Sequence, residues 1–336
     1  MPIQTTYTSN PSFSAVPGTD NYPGTPLDQK GLFMNEEHVF LPKMRDLIKW
    51  QTTANPYKAE KKSNTRRLQV IQRHALDEIP DNAIIWLGHA SFLIHLNGIR
   101  LLIDPVLTSS RFLKRQSELP FKTQVFEDID YILISHNHRD HCDKESIQLL
   151  AKQNPEATWL CGLGLDTLLL KEWTGSKRIQ AAGWYQQYPL NHAHLQIAFL
   201  PTRHWSRRGF SDTNATLWGA FIIQSKGMNI YFGGDSGYGN HVKKVGELFG
   251  VINYYLAGIG AFAPRWFMSP SHMHPEEVAK TSNELKPIHL IPMHYGTFDL
   301  SDEPLLEPAR LITQLKDENA FSATLLLPAV GEIISL

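Results

Sequence analysis

Tyr131-Ile132-Leu133-Ile134-Ser135-His136-Asn137-His138-Arg139-Asp140-His141 is the stretch on which the fold turns. Its first four residues are apolar and read as a buried strand. The six positions that begin at His136 hold three histidines and one aspartate. Imidazole nitrogens and carboxylate oxygens are the donors zinc takes where thiolates are absent. A strand that runs into such a cluster sets it in a loop at a sheet edge, where a rigid scaffold presents functional side chains.

Three later runs repeat the pattern. His204 follows Leu195 to Pro201, and His294 follows His289 to Met293. Asp235 closes Ile230-Tyr231-Phe232-Gly233-Gly234, whose glycines let the backbone turn tightly beside another group. A lone histidine after a strand reads as a packed or surface residue. Five histidines and two aspartates, His136, His138, Asp140, His141, His204, Asp235 and His294, read together as a metal centre. Asp104 ends the run from Arg100 and is expected to orient a ligand imidazole. His89, in a small-residue turn, is expected to hydrogen-bond within the fold, with support of a metal ligand as the alternative.

Working outward, short strand-like runs at 83–87, 91–96, 100–104, 131–135, 195–201, 221–224, 229–232, 254–257 and 289–292 alternate with helical patterns at 144–153, 165–173, 241–249, 275–285 and 305–316. Hairpins first and βα alternation afterwards indicate an α/β (α+β) fold of layered sheets covered by helices. Residues 1–30 are rich in Pro, Gly, Ser and Thr and read as an arm. A short amphipathic helix is expected within 41–50, and residues 55–67 read as an exposed basic loop. The chain is thereby divided into an N-terminal arm and short helix packed on the body, 1–80, and a main domain, 81–336.

The balance of 32 basic against 33 acidic residues argues against nucleic acid as the main partner. Two cysteines, Cys142 and Cys161, make no disulfide framework and suit a reducing compartment. With no signal-like start and no apolar run of membrane-spanning length, the chain is expected to be cytoplasmic. Peripheral membrane contact and a homodimer are left open.

The H-x-H-x-D-H motif with a later His, Asp and His resembles the metallo-β-lactamase superfamily. Gly88-His89-Ala90-Ser91, Asp104-Pro105, His204-Trp205, Gly234 to Tyr238, Ala263 to Met268 and His294 to Thr297 resemble, more narrowly, the N-acyl-phosphatidylethanolamine-hydrolysing phospholipase D family. The resemblance spans roughly residues 80–300. It implies a four-layer αββα sandwich with two metal ions, zinc first and manganese or iron as substitutes. In that arrangement His136, His138 and His204 hold one ion, Asp140, His141 and His294 the other, and Asp235 bridges them.

The expected chemistry is phosphodiester hydrolysis of a lipid-like or other small substrate by a hydroxide shared between the metals. Asp140 and Asp235 are the catalytic carboxylates, and His272 is the candidate acid for the leaving group. The family tends to carry an acidic residue where His274 stands. The segment 107–121, with Arg111, Lys114 and Arg115, falls where the superfamily often has a substrate-covering loop; its cations could meet a phosphate or lipid head group, but a plain solvated loop is the favoured reading. Arg265 to Met268 could line an acyl pocket or pack the core. A metal-dependent lactonase or other carbonyl hydrolase is the competing enzyme reading. A metal-stabilised binding protein without turnover is the reading from another class.

Overall fold

The computed structural model describes residues 5–37, 43–110 and 113–336. Strands β1 (Thr6–Thr8) and β2 (Thr25–Leu27) pair in a small antiparallel ribbon, followed by helices α1 (Met44–Thr52) and α2 (Lys58–Ser63). Strands β3 (Ala83–Gly88), β4 (Ser91–Leu96) and β5 (Ile99–Ile103) form an antiparallel meander. Strands β6 (Tyr131–Ile134), β7 (Thr158–Gly162) and β8 (Ile179–Ala182) extend it in parallel, with α3 (Lys144–Gln153) and α4 (Lys171–Thr174) as crossovers.

The second sheet mirrors that plan. Strands β9 (Gln186–Gln187), β10 (Leu195–Leu200), β11 (Ala220–Ser225) and β12 (Met228–Phe232) are antiparallel. Helix α5 (His241–Phe249) leads to β13 (Tyr254–Gly258), and α6 (Arg265–Met268) and α7 (Pro275–Leu285) lead to β14 (His289–Met293). Helix α8 (Glu307–Asp317) leads to β15 (Thr324–Leu325), and the run from β12 to β15 is parallel. Finally β16 (Ile333–Ser335) crosses back to pair with β3. The result is two seven-stranded sheets, ordered β16-β3-β4-β5-β6-β7-β8 and β15-β14-β13-β12-β11-β10-β9.

The side-chain period of two along a strand decides what each face buries. In β3, Ile84 and Trp86 pack between the sheets, while Ile85 and Leu87 join Ile147 and Leu150 of α3 on the outer side. In β6, Leu133 faces inward and Ile132 and Ile134 face the helix. Phe92 of β4 meets Phe232 of β12 across the gap with ring centroids 6.3 Å apart. Val242, Val245, Val278 and Leu285 of α5 and α7 complete the fourth layer. The αββα sandwich implied by the resemblance is the fold observed.

Several local expectations change. Residues 58–63 of the basic loop form helix α2, tied down by Lys61 Nζ on Asp299 at 2.5 Å and on the Ser301 carbonyl. The helix expected within 41–50 begins at Met44 and runs to Thr52, with 41 and 42 outside the described residues. Strands β7 and β8 were not anticipated. Residues 158–162, Thr-Trp-Leu-Cys-Gly, lack alternation because a parallel strand between two helix-covered neighbours is buried on both faces. The arm lies on the body: Val16 N donates to Tyr185 O at 2.8 Å, Trp184 N to Thr25 Oγ1 at 2.8 Å, and Phe33 N to Asn214 O at 2.9 Å.

Leu133 is fully buried between the sheets one turn ahead of the metal cluster. Leu133→Ala should cost about 2–5 kcal/mol in denaturant unfolding through the cavity it leaves. A loss below 1 kcal/mol, or a changed slope with denaturant, would contradict this packing.

Candidate metal centre

Each of the seven expected ligands follows the C-terminal end of a strand: His136 to His141 follow β6, His204 follows β10, Asp235 follows β12 and His294 follows β14. The topology brings all of these ends to one edge of the sandwich. His136, His138, His204 and Asp235 place one donor atom each within 4.8 Å of the others, and His89, Asp140, His141 and His294 do likewise.

The tautomers follow from the outer hydrogen bonds. His204 Nδ1 lies 3.1 Å from the Ser271 carbonyl, which only accepts, so Nδ1 carries the proton and Nε2 keeps a lone pair. Ser135 Oγ donates to Asp104 Oδ2 at 2.6 Å and therefore accepts from His136 Nδ1 at 3.0 Å, leaving His136 Nε2 free as well. These two lone pairs point at His138 Nδ1 from 2.9 and 3.1 Å. Ligands around a tetrahedral zinc stand about 3.3 Å apart at ordinary Zn–N lengths. Three imidazoles converging this closely fit a cation and fit nothing else in the chain.

The second set shares an atom with the first. Asp235 Oδ2 lies 3.2 Å from His141 Nε2 and 3.1 Å from His294 Nε2. The same oxygen is 3.9 Å from His136 Nε2 and 3.8 Å from His204 Nε2. His141 Nε2, His294 Nε2 and Asp235 Oδ1 are buried without an aligned hydrogen-bond partner, as expected of atoms that share a cation. Asp140 Oδ2 completes the set at 3.6 Å from His141 Nε2 and 3.4 Å from His294 Nε2.

Backbone strain fixes the second set. Asp104, His89 and His294 have φ of 41°, 54° and 68°, a region costly to residues with a Cβ. Asp104 is held there by accepting from Ser135 N at 2.7 Å and from His141 Nδ1 at 2.7 Å, which is the orienting contact expected of it. His89 is held by its N–H on Thr297 Oγ1 at 2.8 Å and by its carbonyl, which accepts from His294 N at 3.0 Å. Gly234 has φ 56°, and a Cβ there would stand 2.7 Å from the Gly219 carbonyl. Glycine is required at that turn.

The two sets differ in charge. Burial, helped by neighbouring imidazoles, holds His136 and His204 well below the usual histidine range and His138 down to about 4. These three are neutral. Burial also opposes charge on His294, but Asp235 and Asp140 together outweigh it and raise His294 to about 9. His141 is raised in the same way, burial being outweighed by Asp235, Asp140 and Asp104. Burial likewise opposes the charge of Asp140 and Asp235, and the facing imidazoles outweigh it and hold both carboxyls low.

Two functional residues are placed by the fold more than by the sequence. His89 is buried with Nε2 2.9 Å from Asp140 Oδ2 and its ring 3.9 Å from that of His294. It belongs to the cluster and does not merely brace the hairpin. Asn35, in the arm, clamps the backbone of His204 by donating to its carbonyl at 2.8 Å and accepting from its N–H at 3.1 Å. The neighbouring Gly88-His89-Ala90-Ser91 turn was the only available signal for His89. Nothing local marks Asn35, whose partner lies 169 residues away.

His272 stands in the cleft wall with Nδ1 3.9 Å from Asp235 Oδ2, and burial lowers its imidazole to about 4. His274 caps α7: Nδ1 accepts from Glu276 N at 3.3 Å, and Glu277 Oε2 accepts from His274 N at 2.8 Å. The cleft above the cluster holds about 370 Å³. Its apolar walls include Met44, Leu47 and Trp50 of α1, Phe267 and Met268 of α6, and Trp205, while Lys43, Arg139, Arg207 and Arg208 stand among them. Among the described residues, the segment 107–121 contributes none of the lining. Arg111 lies outside the described residues, Lys114 is exposed, and the Arg115 guanidinium donates inward to the carbonyls of Val106 at 2.6 Å and Leu87 at 2.7 Å. Phe267 and Met268 resolve the other open choice in favour of the cleft.

An αββα sandwich with two imidazole–carboxylate donor sets at one sheet edge defines a metal-dependent hydrolase of the metallo-β-lactamase class. Residues 99–295 match the family model described as beta-lactamase superfamily domain. Within that superfamily the chain belongs to the family of N-acyl-phosphatidylethanolamine-hydrolysing phospholipases D. It is 31% identical over 263 residues to N-acyl-phosphatidylethanolamine-hydrolyzing phospholipase D 1 of Caenorhabditis elegans, covering 74% of each chain. To the mitochondrial enzyme of that name from Saccharomyces cerevisiae it is 32% identical over 260 residues, 74% of this chain and 54% of the other. Among solved structures, the metallo hydrolase Igni18 of Ignicoccus hospitalis superposes with a TM-score of 0.58 at 20% identity, over 75% of this chain and 97% of the other, a likeness of fold.

Protonated His141 and His294 must lose a proton before Nε2 can ligate, whereas His136, His138 and His204 need lose none. Zinc uptake by metal-free protein at pH 7 should therefore release about two protons, all at the second position. Affinity there should rise with pH up to about 9, while the first position stays flat over neutral pH. Calorimetry in buffers of different ionisation enthalpy measures this, and proton-free uptake would contradict it. Separately, His89→Ala should weaken the ion held by Asp140 about 10–100-fold with the first ion and the circular dichroism unchanged. Equal loss of both ions would show that His89 only supports the fold.

Proposed function

We propose that the protein is a binuclear zinc phosphodiesterase of phospholipase D type that hydrolyses a phospholipid-like substrate. The observation that carries this reading is the pair of donor sets sharing Asp235 Oδ2 at the floor of an apolar-walled cleft with cations among its walls. The two relatives from worm and yeast are named for hydrolysis of such a phosphodiester. Two divalent ions held here would supply a nucleophilic water near neutral pH and neutralise charge on the transferring phosphoryl oxygens.

The chain's own residues do the rest. The three neutral imidazoles need no deprotonation to ligate. Asp235 offers both sets one oxygen, since a carboxylate has lone pairs for two cations where an imidazole has one. Asp140, held by His89, is placed to align the attacking water. The P–O bond to the leaving alcohol breaks as the new P–O bond forms, and the alcohol needs a hydrogen-bond donor. His272 is the side chain within reach of a substrate oxygen bound beside Asp235, and as a neutral imidazole it donates without entering the reaction charged. Leu47, Trp50, Phe267 and Met268 suit an acyl chain, and Arg139 and Arg207 suit a phosphate.

Cys142 and Cys161 are buried free thiols, which supports the cytoplasm as the working compartment. No helix among the described residues is long and apolar enough to cross a membrane.

Purified protein should contain two equivalents of zinc by elemental analysis and turn over bis(p-nitrophenyl) phosphate faster than any member of a lactone panel. Asp235→Ala should lose both metal and turnover, and His272→Gln should lose about 100-fold in kcat with metal content intact. Preference for a lactone, or turnover that survives metal removal, would end this assignment.

A further inference from the structure

We propose that Ser236 and His241 are positioning residues for the first metal position, a hydroxyl–imidazole pair that sets His204 against Asp235 from behind the cluster. The inference deepens the binuclear reading above and rests on it. His204 follows β10 and Asp235 follows β12, and β11 lies between those strands, so no ladder hydrogen bond joins the two ends. A junction of the flanking backbones does so instead. Arg203 N donates to Ser236 Oγ at 3.0 Å, and Gly237 N donates to the Arg203 carbonyl at 2.8 Å. The residue before His204 is thus bolted to the two residues after Asp235. A Cβ on Gly237 would stand 2.5 Å from the Pro270 carbonyl, so the same turn lies against the loop whose Ser271 carbonyl accepts from His204 Nδ1.

The hydroxyl itself shows what the pair is for. A serine oxygen has one proton to give and two lone pairs to accept with. The proton goes to the Gly237 carbonyl at 2.8 Å, since a carbonyl only accepts. Both lone pairs therefore accept, one from Arg203 N and the other from His241 Nε2 at 2.8 Å. That direction is the reverse of a nucleophilic serine, whose proton passes to the imidazole. The pair holds and does not attack. Burial, with Arg203 nearby, lowers His241 to about 3, so its ring is neutral and Nε2 carries the proton that Ser236 accepts. Both side chains are buried, and His241 belongs to neither donor set and lines no part of the cleft.

His241 is in turn fixed from the arm. It opens α5, and Asn240 N just ahead of it donates to Glu37 Oε2 at 3.2 Å, a carboxylate where the helix dipole favours one. Asn35, two residues before Glu37, brackets the backbone of His204. Arm and α5 therefore grip from two sides the one member of the imidazole trio that lies outside the 136–141 loop. The second position keeps three ligands with other supports: Asp140 on His89, His141 on Asp104, and His294 on the His89 carbonyl. Loosening the Ser236–His241 pair should displace the first ion and spare the second.

Competition for zinc against a chelator tests this on the intact protein, with anomalous scattering from crystals grown at limiting zinc giving the occupancy of each position. Ser236→Ala should weaken the first position about 10–100-fold and leave the second position and the circular dichroism unchanged. His241→Leu should do the same. His241→Gln, whose amide can still donate to the serine, should bind zinc as the wild type does, a rescue that a merely space-filling role would not give. Should Ser236→Ala fail to fold, the contrast between Leu and Gln at position 241 decides alone. Equal loss of both ions, first-position affinity unchanged in His241→Leu, or equal weakening by Leu and Gln would each overturn the proposal. A wild-type protein that binds both ions and turns over no phosphodiester would instead overturn the proposed function and leave this inference standing.

Discussion

Two carboxylates, Asp140 and Asp235, are ionised against a wall of imidazoles at the floor of the cleft, and the rest of the structure follows from that constraint. A buried anion is unstable unless positive charge lies against it. Without metal the compensation comes from protons on His141 and His294, whose nitrogens crowd Asp235 Oδ2 at 3.2 and 3.1 Å. A divalent ion held by these four groups would supply the same compensation without the protons. The neutral trio of His136, His138 and His204 lacks such a counter-charge and is built for a cation from the outset. The asymmetry between the two sets is thus electrostatic before it is chemical, and it arises from where the two aspartates sit.

Holding that arrangement costs the backbone strain at Asp104, His89 and His294, each at positive φ. Strain of this kind persists only where surrounding bonds outnumber it. Here His294 N donates to the His89 carbonyl, Trp86 Nε1 donates to the same carbonyl at 2.8 Å, and Asp104 accepts three donors. The rigid framework behind them is the doubly covered sheet, whose strand ends cannot shift without disturbing a close-packed core. Asn35 extends the same logic to the first set: a single amide in the arm fixes the backbone of His204.

Much of this was legible in the sequence, for definable reasons. The 131–141 stretch announces itself because four ligand donors are consecutive with a strand, and because β6 has a helix-facing and a sheet-facing side that leave no place for polar residues. His204, Asp235 and His294 are legible because each closes a strand pattern. What stayed hidden depends on contacts remote in sequence or on residues with no local pattern. His89 looks like a turn residue, since only the fold sets it beside Asp140. Asn35 lies just past the Pro- and Gly-rich residues 1–30, and its partner is 169 residues away. Strand β7 lacks alternation because both of its faces are buried, β8 is a four-residue edge strand, and α2 is a one-and-a-half-turn helix whose stability comes from Lys61 on the 299–302 loop rather than from its own short sequence.

The cleft shows how an analogy in position can mislead where side-chain chemistry does not. The segment 107–121 lies where a covering loop would fall, and its arginine looks suited to a phosphate. Burial instead pushes the Arg115 guanidinium down to about 10 and turns it onto backbone carbonyls. A cation that satisfies three carbonyls inside the protein is a structural strut, so the covering role falls to whatever else borders the metals. That is α1, whose Met44, Leu47 and Trp50 recur at helical spacing on one face while Ile48 and Lys49 face outward. The same short helix is thus apolar towards the cleft and both apolar and basic towards solvent, so its two sides are set by helical spacing alone.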